Sequence, residues 1–267
     1  MAIPIESVTT GGFSMRFFRF GEGERVMVIL PGLSVKSVML SATSIAKQYA
    51  LFKKDFTVYV FDRRAEIPQP YPLEQMAEDT AAAMQCLQLK DTYLFGASQG
   101  GMLAALITAR HPSLVKKLVL GSSAAAHNDI SRATIGTWVE LAKKGDAQAL
   151  YANFCEKIYP PDFYQKYKEL FRAASADVSE AELARFITLA ENIEGFDMRE
   201  ALAAIRCPVL AIGSEDDAVL GGEATEEIYR ITRAVTQAQC YLYTDRGHDA
   251  YDTAPDYGER LYRFFMH

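Results

Sequence analysis

Short, unbroken apolar runs recur along the chain. They are separated by stretches in which apolar residues return every three or four positions. Residues 25–32 (RVMVILPG) are apolar until a Pro-Gly pair stops them. Such a run suits a strand buried on both faces of a parallel sheet, where neither face has to be polar. Residues 56–62 (FTVYVFD) form a second run, rich in β-branched and aromatic side chains that fit a pleated surface. Residues 92–98 (TYLFGAS), 116–124 (KKLVLGSSA), 207–214 (CPVLAIGS) and 238–245 (AQCYLYTD) repeat the pattern. Residues 13–23 (FSMRFFRFGEG) read as an edge strand, with antiparallel pairing as one option.

The intervening stretches have a helical period. In residues 73–87, Leu73, Met76, Ala77, Thr80, Met84 and Leu87 share one face. Residues 99–112 predict a helix stopped by Pro112, and residues 223–235 and 257–267 predict two more. Strand and helix therefore alternate, which implies an α/β protein: a mostly parallel central sheet flanked by helices. The alternation stops between about residues 125 and 206. That segment reads as successive helices and holds Trp138, the only tryptophan. The expected organisation is a sheet domain of residues 1–124 and 207–267, with residues 125–206 inserted as a helical cap.

Composition narrows the function classes. The chain has 267 residues, 49% of them hydrophobic, enough for a sizeable core. The formal net charge is −6 and no basic block is present, so nucleic acid is not an expected partner. No apolar run approaches the roughly 20 residues of a membrane span. The first residues, MAIPIESVTTGG, do not read as a signal peptide. Cys86, Cys155, Cys207 and Cys240 are far apart and form no CxxC pair. They are expected to be free thiols in a reducing cytoplasm, with no metal site.

One stretch carries chemistry. Gly96-Ala97-Ser98-Gln99-Gly100 is G-x-S-x-G, set between an apolar run and a helical one. A serine on so tight a strand-to-helix turn needs small neighbours, because strand and helix approach closely. The turn lifts the hydroxyl above the sheet, where the first N–H groups of the helix can bind an anion. A serine hydroxyl is a poor nucleophile until a base takes its proton, and the base needs an orienting carboxylate. Of the four histidines, His111 lies a helix length away, His127 begins the helical segment and His267 ends the chain. His248 alone follows a strand run at the sheet edge that carries Ser98, so it is the candidate base. The acid is expected after another strand of that edge, where Glu215, Asp216 and Asp217 stand together.

The order of nucleophile, acid and histidine, with the motifs LPGLS, FGASQGG, IGSEDDAV and RGHDAY, resembles the α/β-hydrolase superfamily over nearly the whole chain. The resemblance implies a cap-bearing serine hydrolase. It favours Asp217 over Asp216, because family members often place the aspartate before a short hydrophobic turn, here Ala218-Val219-Leu220. It also implies an oxyanion hole made by the backbone N–H groups of Gln99 and Leu33. The usual His-Gly-x is Pro31-Gly32-Leu33 here, a change that a backbone donor tolerates. Asp62, Arg63 and Arg64 are expected to form structural ion pairs without a catalytic role.

The expected reaction is hydrolysis of an ester-like bond in a small, largely apolar substrate, through an acyl-enzyme and with no cofactor. Carboxylesterase activity is the first reading. Carbon–carbon bond hydrolase, thioesterase and lactonase activities use the same residues. A slow-turnover ligand-binding protein on the same fold is a reading of another class. The sequence is silent on the oligomeric state.

Overall fold

Eight strands form one sheet in the computed structural model, which describes residues 3–267. They are β1 (Glu6–Thr10), β2 (Phe13–Phe20), β3 (Arg25–Leu30), β4 (Phe56–Arg64), β5 (Thr92–Ala97), β6 (Val115–Gly121), β7 (Val209–Ser214) and β8 (Ala238–Tyr243). Their spatial order is β1-β2-β4-β3-β5-β6-β7-β8. β2 pairs antiparallel with β1 and β4, and every pairing from β4 to β8 is parallel. The run expected at the edge is thus β2, one strand inside it. The edge is β1, a five-residue segment (ESVTT) in which only Val8 is buried, too short and polar to stand out in the sequence.

The apolar runs are strands because both their faces are covered. All six residues of β5 are buried. Leu94 packs into a core shared with α2 (Leu73–Cys86) and α3 (Gln99–Arg110). Its neighbours Tyr93, Phe95 and Ala97 enter a second core with α1 (Ala42–Gln48) and α11 (Tyr257–Met266). This alternation of side chains across the sheet explains why the run carries no polar face.

Five helices lie between β6 and β7: α4 (Asp129–Lys143), α5 (Ala147–Ile158), α6 (Pro161–Ser175), α7 (Glu180–Glu191) and α8 (Arg199–Ala204). α4 and α7 each begin with a reciprocal capping box, Asn128 with Ser131 and Ser179 with Glu182. The chain leaves and returns through a narrow neck. Ala126 bridges Asp197, His127 donates its amide to Phe196 at 2.8 Å, and Met198 donates to Ala125 at 2.8 Å. α8 follows this neck and packs on α3 and α9 (Ala224–Thr232). A short helix α10 (Ala250–Thr253) comes between β8 and α11. No helix among the described residues is long and apolar enough to cross a membrane.

Candidate active site

The site lies at the C-terminal ends of β3, β5, β7 and β8. Ser98 directly follows β5 and is the N-cap of α3, with φ 51° and ψ −120°. A non-glycine residue held there is strained, and the surroundings must over-determine it. They do so with glycines. A Cβ on Gly100 would lie 2.0 Å from the Leu30 carbonyl oxygen, and one on Gly96 would lie 2.3 Å from that of Gly100. The Ser98 amide donates to Gly121 at 2.8 Å, while its carbonyl accepts from Gly101 at 2.8 Å and from the Ser123 hydroxyl at 3.0 Å.

His248 comes from the loop after β8 and is 3% exposed. Its Nε2 is 2.9 Å from Ser98 Oγ and its Nδ1 is 2.8 Å from Asp217 Oδ2. The other oxygen of Asp217, Oδ1, accepts the amides of Val219 and Leu220 at 2.8 and 2.9 Å. The short hydrophobic turn therefore aims this carboxylate. Asp216 has a different partner: its Oδ1 accepts the Ser214 hydroxyl and, at 3.0 Å, the amide of Gly247. Glu215 is exposed.

The remaining histidines are elsewhere. His111 Nε2 lies 2.9 Å from Glu78, and His127 lies 3.7 Å from Glu194. Burial holds the His127 imidazole below its ordinary pKa.

The two expected anion-binding amides flank Ser98. Gln99 is the first residue of α3, so its N–H has no acceptor within the helix. Leu33 lines the same cavity as Ser98, and a Cβ on its neighbour Gly32 would lie 3.2 Å from Ser98 Cβ. The Gln99 side chain turns away, donating to the Leu189 carbonyl at 2.8 Å.

Arg63, given no part in the site by the sequence, joins these segments. Its Nη2 donates to Gln99 Oε1 and to the Pro31 carbonyl, each at 2.9 Å. Burial lowers its guanidinium pKa to about 10, which leaves it charged at neutral pH. Its neighbours do form ion pairs, Asp62 with Arg185 at 2.5 Å and Arg64 with Asp79 at 3.3 Å. The available signal was position: Arg63 stands near the end of β4, at the edge that carries Ser98.

A cavity of about 510 Å³ opens above Ser98 and His248. Leu33 and Val35 contribute from the sheet side, and Trp138, Phe154, Tyr159 and Phe171 from α4 to α6 and their connections. The Trp138 and Phe154 rings pack at 4.5 Å, and Trp138 Nε1 donates to Asn153 at 3.0 Å. The arrangement can present a serine, an imidazole and backbone donors to an apolar substrate.

Known proteins share this architecture. The mouse serine hydrolase BPHL is 28% identical over 81% of this chain and 71% of its own length. The 3-oxoadipate enol-lactonase 2 of Acinetobacter baylyi is 20% identical over 80% of each chain. An alpha/beta hydrolase enzyme from a Medee basin deep-sea metagenome library superposes with a TM-score of 0.86 at 22% identity, covering 98% of both chains. The enol-lactonase of Burkholderia xenovorans gives a TM-score of 0.84 at 18% identity, covering 98% of this chain and all of its own. The family profile described as alpha/beta hydrolase fold matches residues 25–255, and the chain belongs to that family.

Proposed function

We propose that the protein is a serine hydrolase that cleaves an ester-like bond of a small, largely apolar substrate through an acyl-enzyme. The observation that carries this reading is the continuous contact from Asp217 through His248 to Ser98 at the floor of the cavity. His248 Nε2 takes the proton of Ser98 as Oγ attacks the carbonyl carbon. Asp217 holds the proton on Nδ1 and stabilises the imidazolium that forms. The amides of Leu33 and Gln99 donate to the oxyanion, and one such donor supplies roughly 3–4 kcal/mol. His248 then returns the proton to the leaving alcohol and activates water to release the acid.

Residues 127–196, which leave and rejoin at one neck, serve in this reading as a cap over the cavity. The sheet domain then comprises residues 1–124 and 207–267, with the cap helices within 125–206. A lactone is a second reading, since its bond is an ester closed into a ring. It draws support from the two relatives whose names describe enol-lactonases.

A panel of p-nitrophenyl esters, lactones, thioesters and β-diketones, assayed with wild type and Ser98→Ala, tests the proposal. Sustained turnover abolished in Ser98→Ala is expected, together with fluorophosphonate labelling at Ser98. Labelling at Ser122 or Ser123 instead would refute the assignment. Binding without turnover would favour a ligand-binding protein.

A further inference from the structure

One wall of the cavity has no task in acyl transfer. Asp249, Tyr251 and Asp252 of α10 and its N-cap form it, and Gln48, Tyr49 and Tyr159 face the same space. Asp249 is 2% exposed, and its Oδ1 is buried with no hydrogen-bond partner. An ionised carboxylate in such a place is costly unless a cation pairs with it. Among the described residues, the groups acting on the carboxyls of Asp249 and Asp252 are each other, Tyr159, Tyr251 and Gln48, none of which is a cation. The only lysine or arginine among the described residues lining the cavity is Lys36, which acts on Glu182 of α7.

Helix capping does not explain Asp249 either. It occupies the N-cap of α10, but its side chain makes no capping hydrogen bond. Burial, reinforced by Asp252, pushes its carboxyl well above the ordinary carboxylate range. Tyr49 lies within reach of its charge, and the hydroxyls of Tyr159 and Tyr251 turn toward its carboxyl. Tyrosine rings on a wall that carries two carboxyls are surroundings that attract an organic cation.

We propose that this wall is the subsite for a primary ammonium group of the substrate. Its N–H donors lie against the Asp249 side of the wall, and its charge supplies the missing counter-ion. Asp252, bridged to Gln48 at 2.6 Å, adds a second negative charge on the same wall. The inference rests on the hydrolase reading: the substrate becomes an ester-like compound that carries an amine on the part lying against α10. Its apolar remainder packs on Trp138, Phe154 and Leu33. A carboxyl pair that kept its proton and donated to a neutral acceptor would select the opposite ligand, an alcohol or a carbonyl.

The test compares hexylammonium with 1-hexanol, ligands of equal length, by titration calorimetry on the whole protein. Turnover of p-nitrophenyl acetate is followed in parallel, as the readout of the hydrolase reading. Wild type is expected to bind hexylammonium at least tenfold more tightly than hexanol. That ratio should fall to within about threefold in Asp249→Asn and fall by a smaller factor in Asp252→Asn. Equal or tighter binding of hexanol by wild type overturns the proposal, as does a ratio unchanged in both variants. Ammonium preference without ester turnover upholds the subsite and refutes the hydrolase reading. Turnover without ammonium preference does the reverse. The Asp252→Asn variant, changed at an accessible side chain, keeps the proposal falsifiable should Asp249→Asn fail to fold.

Discussion

Asp216 and Asp217 are adjacent in the chain yet act on different parts of one loop. Asp217 Oδ2 meets the His248 ring at 2.8 Å, whereas Asp216 Oδ1 accepts the Gly247 amide at 3.0 Å. One carboxylate orients the imidazole; the other anchors the backbone that carries it. Asp217→Asn keeps the shape but loses the charge that stabilises the imidazolium. Its kcat on any ester turned over by wild type is expected to fall about 10²–10⁴-fold. Asp216→Asn should cost at most about tenfold, because an amide oxygen still accepts from Gly247. A larger loss in Asp216→Asn, with both variants folded by circular dichroism, would reverse these roles.

His248→Ala should lower kcat by roughly 10³-fold or more. His127→Ala should leave kcat nearly unchanged, because its imidazole faces Glu194 and does not line the cavity. Steady-state kinetics on p-nitrophenyl acetate decides between them, and a crippled His127→Ala beside a mild His248→Ala would refute the assignment.

Arg63 positions the two segments expected to supply the oxyanion donors, through Pro31 and Gln99. A lysine in its place reaches one acceptor and leaves the other unpaired, so the two amides drift relative to Ser98. Misplacement by about 1 Å costs on the order of 10²-fold. Arg63→Lys is therefore expected to lower kcat about 10- to 100-fold with KM little changed. A raised KM with normal kcat would show instead that Arg63 shapes the pocket.

The raised pKa of Asp249 makes stability depend on pH. A carboxyl whose folded pKa lies above its unfolded value of about 4 binds its proton more tightly in the folded chain. The folded state therefore loses stability as pH rises from that unfolded value toward the raised folded one. Asparagine cannot ionise and escapes this loss. Asp249→Asn should raise Tm relative to wild type, and by more at pH 8 than at pH 5. A Tm difference independent of pH would show that Asp249 ionises in the folded protein as readily as in the unfolded chain.

Much of this protein is legible in its amino-acid sequence. Strands such as β5 announce themselves because a segment buried on both faces must be apolar throughout. The turn at Ser98 is readable because the close approach of β5, β3 and α3 excludes any Cβ at Gly96 and Gly100. These constraints act within a few residues and leave a local trace. β1 and α1, short and largely polar, leave too weak a periodic signal.

What the chain order could not show is which distant groups meet. Ser98 and His248 are separated by 150 positions and touch because β5 and β8 end at one sheet edge. The direction of two consecutive aspartates depends on the turn at Val219 and Leu220, which supplies amides to only one of them. Arg63 reads as one more ion-pairing charge in a run of three; folding buries it between Pro31 and Gln99. Asp249 reads as polar in sequence; only the packing of α1, α5 and α10 around it removes its water without supplying a cation. Local sterics and burial write themselves into sequence, whereas pairing across the fold is decided by which segments the sheet brings together.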